Sequence, residues 1–462
     1  MEITKEIKEM YQYLSPVNLD FLEFVKKNPD SLRHSNFKLL ELKNDVFALQ
    51  PWPTFINNKT KQSFREAGVK LFDLVKGIPG RIFNNDAEKM GAYYKFPARE
   101  LKEQLAGTTD DHIDNLVGRG DFIISPSGLK CLEYNVAVSL GGWQIPIWEF
   151  MYLNHPIITR FLRESRVKVK NENLIGLLLE HVLQSTLSKV PACDNEINIA
   201  FVYEGGDDRN RLRVTMYMDK MFKEILQQKN KDLKGNLLFC DYCHLNLIDN
   251  CVFYKEKRIH TLVEMYLGYV SPDVLTAFKA GNILLINGPI SFLLSNKLNL
   301  ALLSDPGTAH VFTHEEKKII DKYVPWTRKV TPGAATYGNE KIASLERFML
   351  SDRERLVIKP SMGLGGKGIC IGAKSSRQKW EEAIKTAIKG KNWLVQEWVE
   401  PSPGFYQAGE NGYELHDMVW GFFVFGSRYC GAWNRVMPKK NNKGIINCHK
   451  GARISIIFEV DE

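Results

Sequence analysis

The sequence has no uninterrupted apolar stretch long enough to cross a membrane. Its longest apolar run, Ala280 to Leu294, is broken by two glycines, two asparagines and a proline, whereas a spanning helix needs about 20 predominantly apolar residues. The first ten residues mix charges at once and lack the apolar centre of a secretory signal. We therefore expect a cytoplasmic protein that does not act on a membrane.

Cysteine is also sparse, since eight thiols are scattered over 462 residues without the spacing of a disulfide framework. One cluster, Cys240, Cys243 and His244 with Cys251 beyond, has the letters of a zinc knuckle or a haem-attachment run. A structural zinc site needs four ligands at repeated short spacing. The cluster therefore favours buried thiols beside a strand over a metal site.

The third missing feature is a basic stripe interleaved with aromatic residues. The net charge of +8 is spread along the chain, which argues against a nucleic-acid-binding face. A site for an anionic ligand such as a nucleotide phosphate is sufficient to explain the positive charge.

The order of apolar patterns predicts an α/β protein. A helix is expected from Thr60 to Gly77, a hairpin within 118–143, and alternating strands and helices over 197–294, which indicates a small parallel sheet. We expect four regions, which are a mainly helical region 1–110, a hairpin with helices in 111–190, an α/β substrate domain in 191–295 and a nucleotide-binding domain in 296–462.

The strongest local pattern is the segment 355–372. A strand that ends in Lys359 is followed by a loop that contains Lys367 and four glycines, and then by a second strand. Glycines leave backbone N–H groups unobstructed, and two ammonium groups lie near them, as the oxygens of a triphosphate require. A flexible hairpin with an incidental lysine is the alternative for this segment by itself.

A second pattern follows about 25 residues later. The strand 393–400 is apolar and runs into polar residues, as an adenine pocket requires. The order of motifs along the chain resembles the nucleotide-binding half of the ATP-grasp superfamily. It consists of Lys-Pro, the Gly-Gly-Lys-Gly loop, a helix and Val-Gln-Glu. The resemblance implies contacts with ATP from Lys359, Gly363, Gly365, Gly366, Lys367, Gln396, Glu397 and Val399.

The resemblance extends in both directions. Lys297 followed by Pro325-Trp-Thr327 is similar to the passage that precedes the Lys-Pro strand in glutathione-synthetase-type enzymes, which implies that Lys297 is a further ATP lysine. Downstream, Asp417 resembles the acid that binds ribose, Arg435 the catalytic arginine, and Asn447 part of a substrate-binding Asn...Gly turn.

A magnesium site is expected upstream of these motifs. Arg119-Gly-Asp121 is followed, twelve residues after the aspartate, by Glu133-Tyr-Asn135, and alternation puts Glu133 and Asn135 on one face of their strand. This arrangement resembles glutathionylspermidine synthetases, which are circularly permuted ATP-grasp enzymes. It implies that Asp121, Glu133 and Asn135 hold Mg²⁺ and that Arg119 neutralises the transferred phosphoryl group.

Two strand-to-helix turns are further substrate-binding candidates. Arg209 lies in the polar turn 204–211, and Asn287 begins the turn 287–291. Backbone N–H groups at such a turn bind a carboxylate, although an ordinary capped helix start explains the residues equally well.

The resemblance implies an ADP-forming ligase that joins a small-molecule carboxylate, on an amino acid or small peptide, to an amine through an acyl-phosphate. The alternatives are the loading of an amino acid onto the thiol of a carrier protein, and a kinase-like phosphotransfer. A nucleotide-binding module without activity requires a damaged site, and the expected groups are all present.

Overall fold

A computed structural model of the protein describes residues 3–28, 48–189, 196–203, 212–265, 270–338, 340–363, 365–408 and 412–461. The predicted substrate residue Arg209 lies outside these ranges, together with the rest of the turn 204–211.

Helices form most of the described N-terminal region and recur between the later strands. They are α1 (Lys5–Leu14), α2 (Val17–Lys27), α3 (Asn58–Phe83), α4 (Ala87–Tyr94), α5 (Ala98–Leu105), α6 (Asp110–Asp114), α7 (Ile145–Leu153), α8 (Pro156–Glu164), α9 (Leu174–Lys189), α10 (Leu212–Lys229), α11 (Pro272–Lys279), α12 (Ile290–Leu294), α13 (Leu298–Ser304), α14 (His314–Tyr323), α15 (Leu345–Ser351) and α16 (Arg377–Gly390). Within the described ranges, no helix has the length and apolar composition that a bilayer span requires.

The strands are mostly short, apart from a long antiparallel pair near the C-terminus. They are β1 (Ala48–Leu49), β2 (Thr54–Ile56), β3 (Val117–Ser125), β4 (Gly128–Asn135), β5 (Glu196–Tyr203), β6 (Lys234–Asp241), β7 (Leu245–Ile248), β8 (Cys251–Tyr254), β9 (Lys257–Ile259), β10 (Thr261–Glu264), β11 (Leu284–Ile286), β12 (Thr327–Lys329), β13 (Ala335–Tyr337), β14 (Glu340–Ile342), β15 (Leu356–Pro360), β16 (Cys370–Ile371), β17 (Trp393–Glu397), β18 (Gly404–Ala408), β19 (Gly412–Phe425), β20 (Arg428–Pro438), β21 (Arg453–Ser455) and β22 (Ile457–Glu459).

Helix α3 is longer than the predicted helix Thr60 to Gly77. It continues past the glycine and through Pro79 to Phe83. Ile78 and Phe83 are buried in the main hydrophobic core, so the burial of apolar surface outweighs the poor helix propensity of glycine and proline. The helix ends at Asn84, which has a left-handed backbone with φ of 52°.

The large sheet brings the predicted hairpin next to the C-terminal strands. Its strand order is β1-β21-β20-β19-β3-β4, and β18 also pairs with β19. The predicted hairpin is the β3–β4 pair, and β3 lies antiparallel to β19, which comes almost 300 residues later. Helix α3 packs across this sheet, with Phe64 stacked on Phe422 at 4.3 Å and Phe72 on Tyr134 at 5.1 Å between ring centroids.

The predicted parallel sheet is present in the middle of the chain. Its order is β11-β10-β5-β6, and every neighbouring pair is parallel. It has a hydrophobic core of its own, which includes Val202, Leu262 and Val274. The carboxyl ends of β10 and β11 both reach the cavity described below.

The cysteine cluster lies beside this sheet. Cys240 is buried, Cys251 is half-buried and Cys243 is exposed, so the expectation of buried thiols is right for Cys240 and wrong for Cys243, which lies in the turn after β6. Over the ranges given above, no group of three or more His, Cys, Asp or Glu side chains is arranged to hold a metal ion.

A small antiparallel sheet carries the predicted glycine loop. Its order is β12-β17-β15-β16, and the glycine loop connects β15 to β16. Helix α16 packs against it, and Trp380, Ile384 and Ile358 form part of a core that is separate from the main one.

Candidate active site

A cavity of about 840 Å³ lies where the three sheets approach each other. Its walls come from five parts of the chain, 96–104, 119–141, 264–297, 357–401 and 419–449. Segments that are far apart in the sequence therefore contribute side chains to one space.

Asp121 lies between two arginines at one wall of the cavity. Its carboxylate accepts hydrogen bonds from Arg119 Nε at 2.8 Å and Nη2 at 3.2 Å, and Arg435 Nη2 lies 2.8 Å away. Burial raises the pKa of Asp121, but the two guanidinium groups outweigh it and hold the pKa at about 2. The carboxylate is ionised at neutral pH, and the three groups together keep one positive charge in excess.

The two arginines differ in how well their donors are satisfied. The guanidinium of Arg119 lies 5.1 Å from the ring centroid of Trp433, and its Nη1 donates to the carbonyl of Leu140. Arg435 Nε has no hydrogen-bond partner among the described residues. An unsatisfied cationic donor beside a cavity is suited to an anionic ligand.

The register of the β3–β4 hairpin explains the spacing of its polar residues. Arg119 lies opposite Asn135, and Asp121 lies opposite Glu133, so the four side chains share one face. Asn135 Nδ2 is 3.4 Å from Asp121 Oδ2 and 3.5 Å from Glu133 Oε1. Glu133 also forms an ion pair with Lys297 at 3.0 Å.

Lys297 and Lys359 both reach this cavity from other elements. Lys359 Nζ donates to Gln396 Oε1 at 2.6 Å and to the carbonyl of Leu132 at 3.4 Å, and its burial lowers its pKa to about 8. Lys297 Nζ donates to the carbonyl of Gly363 at 3.2 Å, at the start of the glycine loop. Both ammonium groups therefore lie between the hairpin and that loop.

An apolar slot adjoins the lysines. It is lined by Ile123, Leu132, Val357, Ile371, Val399, Val419 and Ile446. The predicted ATP contacts Glu397 and Val399 both line the cavity. Gln396 also lines it, but its side chain positions Lys359, because it accepts from that lysine and donates its own amide to Thr327 at 3.0 Å.

The glycine loop contacts a second loop across the mouth of the cavity. Gly363, Gly365 and Gly366 all have positive φ, from 66° to 134°, a region that favours glycine. A Cβ atom on Gly366 would lie 2.5 Å from Ile445 Cγ2, in the loop 442–449. The predicted ATP residue Lys367 also lines the cavity.

Of the two predicted residues Asp417 and Asn447, only Asn447 lines the cavity directly. Asp417 is buried, its Oδ2 accepts a hydrogen bond from Asn442 at 2.8 Å, and its Oδ1 has no partner among the described residues. Asn442 lines the cavity and Asp417 lies behind it. Asn447 lines the cavity directly, and its side-chain oxygen accepts from the backbone N–H of His449 at 3.0 Å.

The predicted substrate residue Asn287 holds the start of the hairpin. Its side chain accepts from the backbone N–H of Val117 at 2.6 Å and donates to the Val117 carbonyl at 2.7 Å. Its own carbonyl lies 2.6 Å from His112 Nε2. The side-chain amide is therefore engaged with β3, although the residue borders the cavity.

Sequence reasoning missed the acidic wall of the cavity. Glu264 and Glu100, together with Gln104, line it from β10 and α5. The available signal was an apolar run, Thr261–Val263, followed directly by an acid within a region of parallel strands, because polar residues that follow such strands collect at one edge of the sheet.

Comparisons with known proteins rest on structure alone, since no family model and no curated protein matches the sequence. The structure of a glutathione synthetase-like effector from Globodera pallida, in its apo form, is 11% identical with a TM-score of 0.58, and the match covers 99% of this chain and 98% of that one. At this TM-score the chain shares its overall fold with that protein. The predicted mixed α/β architecture is confirmed, while the ATP-grasp assignment, the circular permutation and the domain boundaries stay predictions.

Two more distant structures also match in part. A putative gamma-glutamylcysteine synthetase from Methylobacillus flagellatus is 9% identical with a TM-score of 0.41, over 82% of this chain and 85% of that one. D-alanyl-alanine synthetase A from Vibrio cholerae is 11% identical with a TM-score of 0.26, over 54% and 69%. At these scores the two likenesses support no further conclusion.

Proposed function

We propose that this protein is an ATP-dependent carboxylate–amine ligase that acts on an amino acid or small peptide. The observation that carries the proposal is the convergence of four cationic side chains, Arg119, Arg435, Lys297 and Lys359, on one cavity that also has a glycine loop and an apolar slot. The likeness to a glutathione synthetase-like protein adds support through the fold. We further propose that the chain is circularly permuted, because the hairpin precedes the nucleotide-binding strands in sequence.

The residues fit ATP in both shape and charge. The apolar slot suits a purine ring, and the lysines and arginines that line the same cavity provide the positive charge that a triphosphate requires. The backbone of Gly363, Gly365 and Gly366 leaves room for phosphate oxygens. Asp417 lies behind Asn442, so we assign contact with the ribose to Asn442, positioned by Asp417.

The acidic hairpin fits a divalent cation only in part. Glu133 and Asn135 supply oxygen donors of the kind that Mg²⁺ prefers, whereas both oxygens of Asp121 are engaged by arginines. Protein sites for Mg²⁺ commonly use one or two carboxylates and leave the remaining positions to water and phosphate. When bound, the ion supplies positive charge next to the phosphate oxygens.

The proposed reaction needs no side-chain nucleophile. An oxygen of the substrate carboxylate forms a bond with the γ-phosphorus of ATP, and the bond from that phosphorus to ADP breaks. The nitrogen of a neutral amine then bonds to the acyl carbon, phosphate leaves and the amine proton is released. The two arginines and two lysines stabilise the transferred charge, and the contact between the two loops excludes water.

The first test is the release of ADP and phosphate from Mg-ATP in the presence of pooled amino acids, dipeptides and polyamines, with mass spectrometry of the products. Stimulated release with a condensed product supports the ligase. A stable phosphorylated product, or a product only with a thiol carrier, favours the other reactions. No release from any pool, with ATP bound, would contradict the proposal.

Glu133→Gln provides the matched variant. We expect it to abolish ADP formation and leave the fold intact, because the side chain is partly exposed and its contacts among the described residues are with Lys297 and Asn135. Glu103→Gln, which removes the same charge from an exposed position on α5, is expected to keep full activity. Full activity in Glu133→Gln would refute the metal assignment.

A further inference from the structure

Glu264 is a buried carboxylate that the proposed reaction does not use. It ends β10, lines the cavity and is only 8% exposed. Its Oε2 accepts from the backbone N–H of Gly288 at 2.6 Å, and the backbone of Asn287 provides a second hydrogen bond. No lysine or arginine among the described residues forms an ion pair or a hydrogen bond with it, and burial raises its pKa to about 7.

A carboxylate in this position needs an explanation. Moving a charge out of water is costly unless an opposite charge accompanies it, which is why buried acids are usually paired. The two backbone donors stabilise the ionised form, but they carry no net charge that would neutralise it. A cation that enters from the cavity would neutralise this charge and favour the ionised carboxylate over the protonated one.

The topology of the parallel sheet places Glu264 where such sheets bind ligands. From β5 the chain proceeds to β6 on one side, whereas β10 and β11 lie on the other side, in the order β11-β10-β5-β6. Neighbouring strands whose connections lead to opposite sides leave a crevice outside their carboxyl ends. Glu264 lies opposite Val202 of β5, directly at this crevice.

The charged residues that line the cavity are unevenly distributed. Phe96, two residues before α5, packs against Phe292 of α12, with ring centroids 4.4 Å apart, and Glu100 follows on α5. The cavity-lining residues that α5, β10 and α12 contribute within the described ranges include Glu100 and Glu264 but no lysine or arginine. The cationic side chains of the lining lie instead on the hairpin, at the start of α13, on β15 with its glycine loop, and on β20.

We propose that Glu264 binds a cationic nitrogen, an ammonium or a guanidinium, on the substrate whose carboxylate is activated, an inference that rests on the proposed ligase function. The attacking amine must be neutral to form the new bond, so the nitrogen held by Glu264 is a different, unreactive one. The acid substrate is then an amino acid, or a peptide with a free amine, and not a plain mono- or dicarboxylate.

The test is calorimetric titration of the full-length protein with pairs of acids that differ only in a charged amine. Suitable pairs are L-glutamate with glutarate, β-alanine with propionate, and glycylglycine with N-acetylglycine. We expect at least one aminated member to bind about tenfold more tightly than its partner, as the loss of a charge-assisted hydrogen bond implies.

Glu264→Gln is expected to remove this preference and leave unchanged the affinity for the acid that lacks the amine. Glutamine keeps an oxygen for the N–H of Gly288, so a purely structural role predicts no change, and circular dichroism verifies the fold. Glu103→Gln removes the same charge from an exposed position outside the cavity lining and is expected to change affinity less than about threefold.

Two results overturn the inference, namely the absence of an amine preference in the wild-type protein and a preference that survives in Glu264→Gln. A parallel assay of ADP release separates this from the ligase proposal. Amine-dependent binding without ADP release contradicts the ligase and keeps the Glu264 site. ADP release that is equal with both members of every pair contradicts the Glu264 site and keeps the ligase.

Discussion

Replacing Asp121 by asparagine tests whether this acid stabilises the fold in addition to contributing to ADP formation. The substitution preserves size and removes the charge. The carboxylate makes three contacts between 2.8 and 3.2 Å, of which Oδ1 accepts one from Arg119 and Oδ2 accepts one each from Arg119 and Arg435. An NH₂ group in the place of Oδ2 faces both guanidinium groups and cannot accept from either. Two charge-assisted hydrogen bonds of about 1.5–3 kcal/mol each are lost. Breaking a buried ion pair from one side costs about 3–5 kcal/mol, which is the destabilisation that we expect.

The assay is urea unfolding followed by the fluorescence of the nine tryptophans, which reports global unfolding. Glu133→Gln serves as the comparison. Its side chain is 27% exposed and forms one ion pair, so we expect it to lower the free energy of unfolding by about 1 kcal/mol or less. Both variants are expected to lose ADP formation. If Asp121→Asn unfolds at the wild-type urea concentration, the buried cluster does not stabilise the fold as reasoned.

Two further substitutions test burial and loop contact. Burial raises the pKa of Glu149 to about 8 from 4.5, so the folded state retains a proton that the unfolded state releases, and this contribution to stability is lost as pH rises from 4.5 through 8. Glu149→Gln keeps the acceptor for Asn171. We expect this variant to be more stable than the wild-type protein at pH 8, by on the order of 3 kcal/mol, and equally stable at pH 4. Thermal unfolding at the two pH values measures the difference. Gly366→Ala places a Cβ 2.5 Å from Ile445 at a position with a φ of 71°, and we expect it to weaken ATP binding measured by calorimetry. Gly281→Ala, with a similar φ of 73° and nothing within 4 Å, is expected to leave ATP binding unchanged. Equal ATP affinity in both variants would contradict the proposed role of the loop contact.

The parts of the site that could be predicted from sequence are those set by local geometry. The turn between β3 and β4 keeps Asp121 and Glu133 close together, and a β-bulge between Asp121 and Phe122 shifts the register by one residue and places the two acids opposite each other. The glycine loop follows Lys359 directly along the chain. In both cases the residues that act together are within about 15 positions of each other, so their spacing carries the information.

The remaining features depend on contacts between distant segments. Asp417 lies behind Asn442 because of how the C-terminal loop packs on β19. Asn287 is engaged by β3, 170 residues away. The exposure of Cys243 and the burial of Glu264 similarly follow from the assembly of the parallel sheet, and no short pattern encodes that assembly.

The small antiparallel sheet is tied to the rest of the fold by apolar as well as polar contacts. Most of its buried apolar side chains pack in a core of their own, but Leu394 of β17 belongs to the main hydrophobic core. Moving this sheet away from the hairpin would therefore break the hydrogen bonds of Lys359 with Leu132 and of Lys297 with Gly363 and would also withdraw Leu394 from that core. The position of the two lysines over the cavity thus depends on the packing of the main core as well as on the glycine loop.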